Sequence, residues 1–264
     1  MSKWAEQTGS NKKRWIPFLL PAALLLFFEG MFLAYGPGVY NDSEQYLQMH
    51  IHREPLYPLV LWVFRLCTPE HYLVLMGILQ NLFMAVSIWL LTGSIARKFS
   101  LSIGWQLLLV LLQVFPHLMT KYFSVMSVFI TNSVMSEALT FPLFTLWVMN
   151  ALELLWEGKR KNAVGMLLLS ILLSLTRSQM MVTVLIFFLV ELYRIIFVCH
   201  KKRILVSVVG LVILLAAAFG IRTLTVRCYN LAVHGRFINN TYGNVNLVTD
   251  IIYASDREDG ENIK

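Results

Sequence analysis

Charge is what this sequence has least of. Asp, Glu, Lys and Arg make up 14% of the 264 residues, where a soluble domain carries about a quarter. Cysteine is nearly absent too. Cys67, Cys199 and Cys228 share no close spacing, which argues against a zinc site and against a disulfide framework. Negative charge is the scarcer sign, with 15 Asp and Glu against 22 Lys and Arg and a net charge of +7. In a soluble protein that balance would point to nucleic acid. Here the basic residues sit in short clusters between apolar runs, the mark of cytoplasmic loops, so no nucleic-acid partner is expected. No small-residue cleavage site follows the first apolar run, so it is read as a retained helix and not as a signal peptide.

What fills the space is apolar: 57% of the chain is hydrophobic, gathered into runs near the ~20 residues a helix needs to cross a bilayer. The expected fold class is therefore all-α, a polytopic transmembrane helical bundle. Seven spanning runs are expected: Trp15–Tyr35, His71–Gly93, Leu101–Thr120, Ala138–Trp156, Ala163–Thr176, Met180–Val198 and Ile204–Thr223. A further piece, Leu56–Cys67, is too short to span and is interrupted by Arg65. With Leu56, Leu59, Val60, Val63 and Phe64 on one helical face, it is expected to lie at the outer interface. Lys3, Lys12, Lys13 and Arg14 precede the first run, and Arg97, Lys98, Lys159, Arg160, Lys161, Lys201, Lys202 and Arg203 follow later ones. All fall inside if the N-terminus is cytoplasmic. The expected organisation is a cytoplasmic N-terminus (1–14), a transmembrane domain (15–223) and an extracytoplasmic tail (224–264).

Against this background one polar stretch stands out, "NDSEQYLQMHIHREPLYP", residues 41–58. Asp42, Glu44, His50, His52, Arg53 and Glu54 follow directly on the first run. On the expected topology they share the outer face with Ser136 and Glu137, where the fourth run begins, and with Arg177, Ser178 and Gln179, between the fifth and sixth. An arginine fork suits phosphate, and a carboxylate suits deprotonation of a hydroxyl or coordination of a hard divalent metal. Polar residues in short loops are commonly just wet. Asp42 and Glu137 rise above that because both stand at outer helix ends, on the face where Arg177 emerges. A guanidinium at the depth of Arg177 has two partners open to it, a lipid phosphate or Glu137. Glu29, Glu153 and Glu191 read as packed or paired residues, and the i, i+2 spacing of His50 and His52 fits no helical metal pair.

The stretch "NDSEQYLQMHIHREPLYPLVLWVF" resembles the first extracytoplasmic loop of integral-membrane glycosyltransferases of the GT-C fold, such as protein O-mannosyltransferases and the aminoarabinose transferases of lipid A. The shared features are an acidic residue soon after the first helix (Asp42), then Tyr46, then the "PLYP" of Pro55, Leu56, Tyr57 and Pro58. "TNSVMSEALTFPLF", with Glu137, is similar to the second outer loop, and "LLSLTRSQMM", with Arg177, to the short connection after the fifth helix. The resemblance covers residues 15–200. It implies a polyprenyl-phosphate sugar as donor, a cell-envelope acceptor, and chemistry on the outer face of a bacterial plasma membrane. Carried over, it implies Asp42 and Glu137 as catalytic residues and Glu44, Tyr46, Arg53, Tyr57 and Arg177 as substrate contacts. No protein metal site is expected, though magnesium or manganese is compatible with the chemistry. Expected partners are the lipid-linked donor and membrane lipids. Family members run longer than this chain, so it is expected to lack a C-terminal module, with a separately encoded second half as a further partner. A non-catalytic or truncated assembly subunit and a transporter of lipid-linked substrates are the competing functions.

Overall fold

The computed structural model describes residues 3–125, 127–198 and 204–239, with side chains from residue 19 onward. The described chain is helical, with no strand and a single isolated bridge between Gly38 and Ser133. In chain order the helices are α1 (Lys3–Tyr35), α2 (Ser43–Leu47), α3 (Leu56–Cys67), α4 (Tyr72–Phe99), α5 (Ile103–Tyr122), α6 (Glu137–Glu157), α7 (Arg160–Thr176), α8 (Val182–Tyr193) and α9 (Ile204–His234). A 3₁₀ turn, Ser178–Met181, leads into α8, and a π turn, Arg194–Val198, leaves it.

Among the described residues five helical segments are long and apolar enough to cross a membrane: Tyr72–Phe99, Ile103–Tyr122, Glu137–Glu157, Ser178–Phe197 and Ile204–His234. The expected first span contributes a shorter apolar helix, Leu19–Tyr35. The expected fifth span, α7, has 17 residues and opens on Arg160, Lys161 and Asn162. At 1.5 Å per residue such a helix is about 26 Å long, just under a ~30 Å hydrocarbon core. The last run also differs from expectation. Its helix continues past Thr223 to His234, because Leu224–Val233 holds neither proline nor glycine to stop it before Gly235. Residues 224–234 of the expected tail are therefore helical. The cluster around Lys201, Cys199, and tail residues 240–264 lie outside the described residues.

Helices in lipid gain little from burying apolar faces against one another, so close packing and hydrogen bonds between helices matter more. Both occur. Gly77 of α4 lies so near α1 that a Cβ there would fall 2.1 Å from the Phe32 ring. Trp147 Nε1 of α6 donates to Ser170 Oγ of α7 (2.8 Å), Gln113 Nε2 of α5 to Thr92 Oγ1 of α4 (2.9 Å), and Ser94 Oγ of α4 to Glu153 of α6 (2.7 Å). Glu153 is thus held by a serine hydroxyl, where its place near an inner helix end suggests a Lys or Arg partner. Glu191 does pair with an arginine: it accepts from Arg194 at 2.5 Å, while Arg194 also donates to Gly158 O at 2.7 Å.

Three buried apolar clusters organise the bundle. One joins α6, α7, α8 and α9 around Trp147, Leu154, Met166, Leu173 and Phe187. A second joins α1, α4 and α5 around Phe28, Met84 and Ile88. The third is small and lies at one end: Tyr46, Tyr57, Leu61, Met76 and Val134. The α3 face it uses is Tyr57, Pro58 and Leu61, while Val63 is exposed with Trp62 and Leu66. The apolar face expected from periodicity is thus rotated, because α3 must present Tyr57 to α4.

The stretch before α6, between the expected third and fourth spans, is packed inside. Phe129–Val134 is buried. Irregular backbone at such depth persists only where its polar groups find partners. Gly38 N donates to Asn132 O and Val134 N to Gly38 O, each at 2.8 Å. Asn81 of α4, fully buried, donates to Asn132 Oδ1 (3.0 Å) and Gly77 O (2.9 Å) and accepts from Thr131 Oγ1 (2.6 Å). Asn132 Nδ2 in turn donates to Met31 O of α1 at 3.1 Å. Replacing Asn81 with Leu strands the Thr131 hydroxyl and Asn132 carbonyl, each at about 1–3 kcal/mol. Asn81→Leu is therefore expected to melt clearly below wild type in detergent, measured by tryptophan fluorescence. An unchanged midpoint would mean that water replaces the amide.

Candidate active site

Above the third cluster, one end of the bundle carries a polar cavity of about 170 Å³. Its lining brings together Asp42, Tyr46, His52, Arg53, Glu54, Glu137, Thr176, Arg177, Ser178 and Gln179. At ~30 Å³ per water this is roughly six waters of space, room for one small polar group. The three polar segments singled out in the sequence therefore meet at one place. Glu137 arrives on the first turn of α6, Arg177 just after α7, and Asp42 just before α2.

The charges are paired within the cavity. Arg53 Nη2 lies 3.0 Å from Asp42 Oδ1, and Arg177 pairs with Glu137. Of the two partners open to Arg177, the carboxylate holds it in this state. The two arginines differ in how far they are committed. Arg53 also donates from Nε to Gln45 Oε1 (2.8 Å) and from Nη1 to the Tyr46 hydroxyl (3.2 Å), and its guanidinium sits 4.7 Å from the Tyr46 ring centre. Its side chain is 12% exposed. Arg177 is 33% exposed and spends Nη1 on Glu137 and Nε on Gln179 at 3.4 Å, which leaves N–H groups of its fork for a ligand. Asp42 is the open carboxylate, 48% exposed.

Tyr46 links the segments. Its hydroxyl is 2.9 Å from Ser136 Oγ, and its ring meets Tyr57 edge-on at 5.3 Å. Burial raises the Tyr46 phenol above its ordinary range, only partly offset by the Ser136 hydrogen bond and the charge of Arg53; Tyr46 stays neutral. Tyr57 is fully buried below it, accepting from Gln80 Nε2 (2.9 Å) and donating to Ser133 O (3.4 Å). It lies outside the cavity lining, a support for Tyr46 and not a surface a substrate reaches. Glu44 is also outside the lining: it points to solvent and accepts from Gln48 Nε2 at 2.6 Å. Two residues, about half a helical turn, set it on the side of α2 opposite Asp42.

Five lining residues were not named as site residues from the sequence: His52, Glu54, Thr176, Ser178 and Gln179. Glu54 is 4% exposed and pairs with Arg222 of α9. The signal for that pair was an arginine inside an otherwise apolar run, which needs a partner. His52 Nε2 is 2.8 Å from Gln45 Oε1. Burial first, then the nearby Arg53 and His50, lower its pKa below the ordinary 6.5. The folded chain thus favours the neutral ring, so this contribution is present above pH 6.5 and is lost as pH falls through 6.5 toward the lowered value. Wild type is expected to lose melting temperature between pH 7 and about 5, and His52→Gln to lose less over that window. Parallel curves would assign the acid sensitivity to other groups.

Among the described residues no three His, Cys, Asp or Glu side chains gather in a way that could hold a metal ion. Asp42 and Glu137 are each already paired with arginine, a poor donor set for a hard divalent cation. Comparison with known protein families, with curated proteins and with solved structures gives no match.

Proposed function

We propose that this chain is a membrane glycosyltransferase that moves a sugar from a polyprenyl-phosphate donor to a cell-envelope acceptor on the extracytoplasmic face. The observation that carries the reading is the meeting of Asp42, Arg53, Glu137 and Arg177 around one small cavity at one end of an apolar helical bundle. A base and a phosphate-binding cation within one sugar's reach are what displacement at an anomeric carbon requires. The acceptor hydroxyl attacks that carbon, and its proton passes to the Asp42 carboxylate. The bond from carbon to phosphate oxygen breaks, and the phosphate leaves with the electron pair, neutralised by Arg177. Arg53, bonded through Nε, Nη1 and Nη2 to Gln45, Tyr46 and Asp42, positions Asp42. Glu137 holds Arg177 until the donor phosphate competes for it. No step is assigned to a metal.

The topology that goes with this reading has seven spans, counting α1 and α7, in a bacterial plasma membrane with the N-terminus cytoplasmic. Its support is that Arg97, Lys98, Lys159, Arg160 and Lys161 cluster at the end of the bundle opposite the cavity. In a cysteine-free background, a cysteine at Phe237 is expected to react with an impermeant reagent in intact cells, and one at Gly158 to stay unlabelled. The reverse pattern overturns the outer-face site. The test of activity is purified chain in lipid nanodiscs with a polyprenyl-phosphate sugar labelled in the sugar. Transfer of label to acceptor supports the reading; intact donor at all chain concentrations rejects it for this chain.

A further inference from the structure

A second basin, about 400 Å³, opens beside the small cavity. Gln48, His50, Ile51, His52, His234 and Arg236 line it. His52 belongs to both spaces. The lining is unusual in its sign: three imidazoles and a guanidinium, and no carboxylate. Among the described residues Arg236 makes no ion pair. The two sides of the basin come from distant parts of the chain. His50 and His52, edge-on at 5.2 Å, belong to the loop between α2 and α3. His234 and Arg236 belong to the end of α9.

That end is firmly shaped. Gly235 takes φ +68, its N–H returns to Leu231 O at 2.9 Å, and Arg236 N returns to Asn230 O at 3.3 Å. The helix is thus closed by a glycine cap that aims the next residue. Cations at a helix C-terminus also complement its dipole, which would account for the sign of His234 and Arg236. It does not account for their facing two further imidazoles across an open basin. Nor does it account for His234 Nε2, which is shielded from solvent and has no hydrogen-bond partner. Burial first, then Arg53 and His50, lower the pKa of His52, against an opposing pull from Asp42.

We propose that this basin binds an oxyanion, a phosphate or carboxylate group, held by Arg236 and His234 on one side and His50 on the other. Charge-assisted hydrogen bonds from these groups satisfy several anion oxygens at once, and a bound anion favours the protonated imidazole. Because the basin shares His52 with the transfer cavity, its occupant is the anionic group of the acceptor. That role rests on the glycosyltransferase reading; the binding does not. The anion can be carried by a soluble saccharide or by a lipid headgroup, and the two are separable.

The experiment is a histidine footprint on the full chain in nanodiscs, with carbethoxylation rates read by mass spectrometry. In phosphatidylcholine discs, inorganic phosphate is the probe for the soluble source. Discs containing phosphatidylglycerol, without added phosphate, probe the headgroup. Slower modification of His50 and His234 in either arm, with exposed His71 unchanged, supports the basin and names its source. Arg236→Gln is expected to raise the required probe concentration about tenfold, as loss of one charge-assisted bond implies, and His234→Gln to remove protection of His50. No protection in either arm, or protection that both variants leave untouched, overturns the proposal. The footprint needs no sugar transfer, so its failure leaves the transfer reading standing. A chain protected by the probe but inert toward a labelled donor would remove only the transfer reading.

Discussion

Asp42→Asn is expected to lower sugar transfer by about 100- to 10,000-fold, the usual loss for one positioned base, while the chain still accumulates in the membrane. Asn keeps the size and polarity of the side chain but cannot take up the acceptor's proton. Asp42 is the better base of the two cavity carboxylates for a geometric reason. It is 48% exposed against 28% for Glu137, so an acceptor reaches it without first breaking into the protein. Arg53 holds it through Nη2 at 3.0 Å, which fixes its orientation. The structural cost of the change is small, because Arg53 retains Gln45 and Tyr46 as partners. Glu137→Gln is expected to lower transfer less and to change the donor requirement more, since its carboxylate holds Arg177. The measurement is label transfer at matched protein levels across a donor titration. Full activity in Asp42→Asn would take Asp42 out of the chemistry, and the larger rate loss in Glu137→Gln would exchange the two roles.

Much of the layout was legible from composition and spacing, and the misses have definite causes. Hydropathy located every long helix, because the length of an apolar run is a one-dimensional property. The meeting of Asp42, Glu137 and Arg177 was legible for a related reason: each stands at a helix end, and alternating helices bring such ends to one face. What did not show was which side chains look inward. Glu44 and Tyr57 belong to the same motif as Asp42 and Tyr46, yet Glu44 faces solvent and Tyr57 lies below the cavity floor. The direction of Glu44 is set by α2, only five residues long and too short for periodicity to register, and that of Tyr57 by how α3 packs against α4. The burial of Phe129–Val134 was hidden because the partner of its Thr131 and Asn132 is distant: Asn81, fifty residues before Thr131, bonds both. Arg222 was passed over for a similar reason. Its partner Glu54 is 168 residues away: an arginine in an apolar run signals that a partner is needed but not which residue it is.

Arg222→Met is expected to destabilise the chain by about 3–5 kcal/mol, the range for breaking a buried ion pair by removing one partner. Glu54 is 4% and Arg222 12% exposed, so the carboxylate left behind is poorly reached by water. The effect should concentrate on α9, since only 11% of its most apolar stretch is buried inside the bundle. Near the cavity that helix is otherwise tied to the first loop by a long contact, Tyr229 hydroxyl to Met49 O at 3.5 Å. Because Glu54 lines the cavity, loosening α9 also disturbs the wall beside Arg53 and His52. The double variant Glu54→Gln with Arg222→Met removes both charges and is expected to recover most of the loss, as replacement of whole buried pairs by uncharged groups often does. The measurement is a double-mutant cycle of unfolding in detergent, followed by tryptophan fluorescence. If the two single costs add to the double within roughly 0.5 kcal/mol, the residues do not act as a pair. The attachment of α9 to the first loop must then come from other contacts, such as Tyr229 hydroxyl to Met49 O.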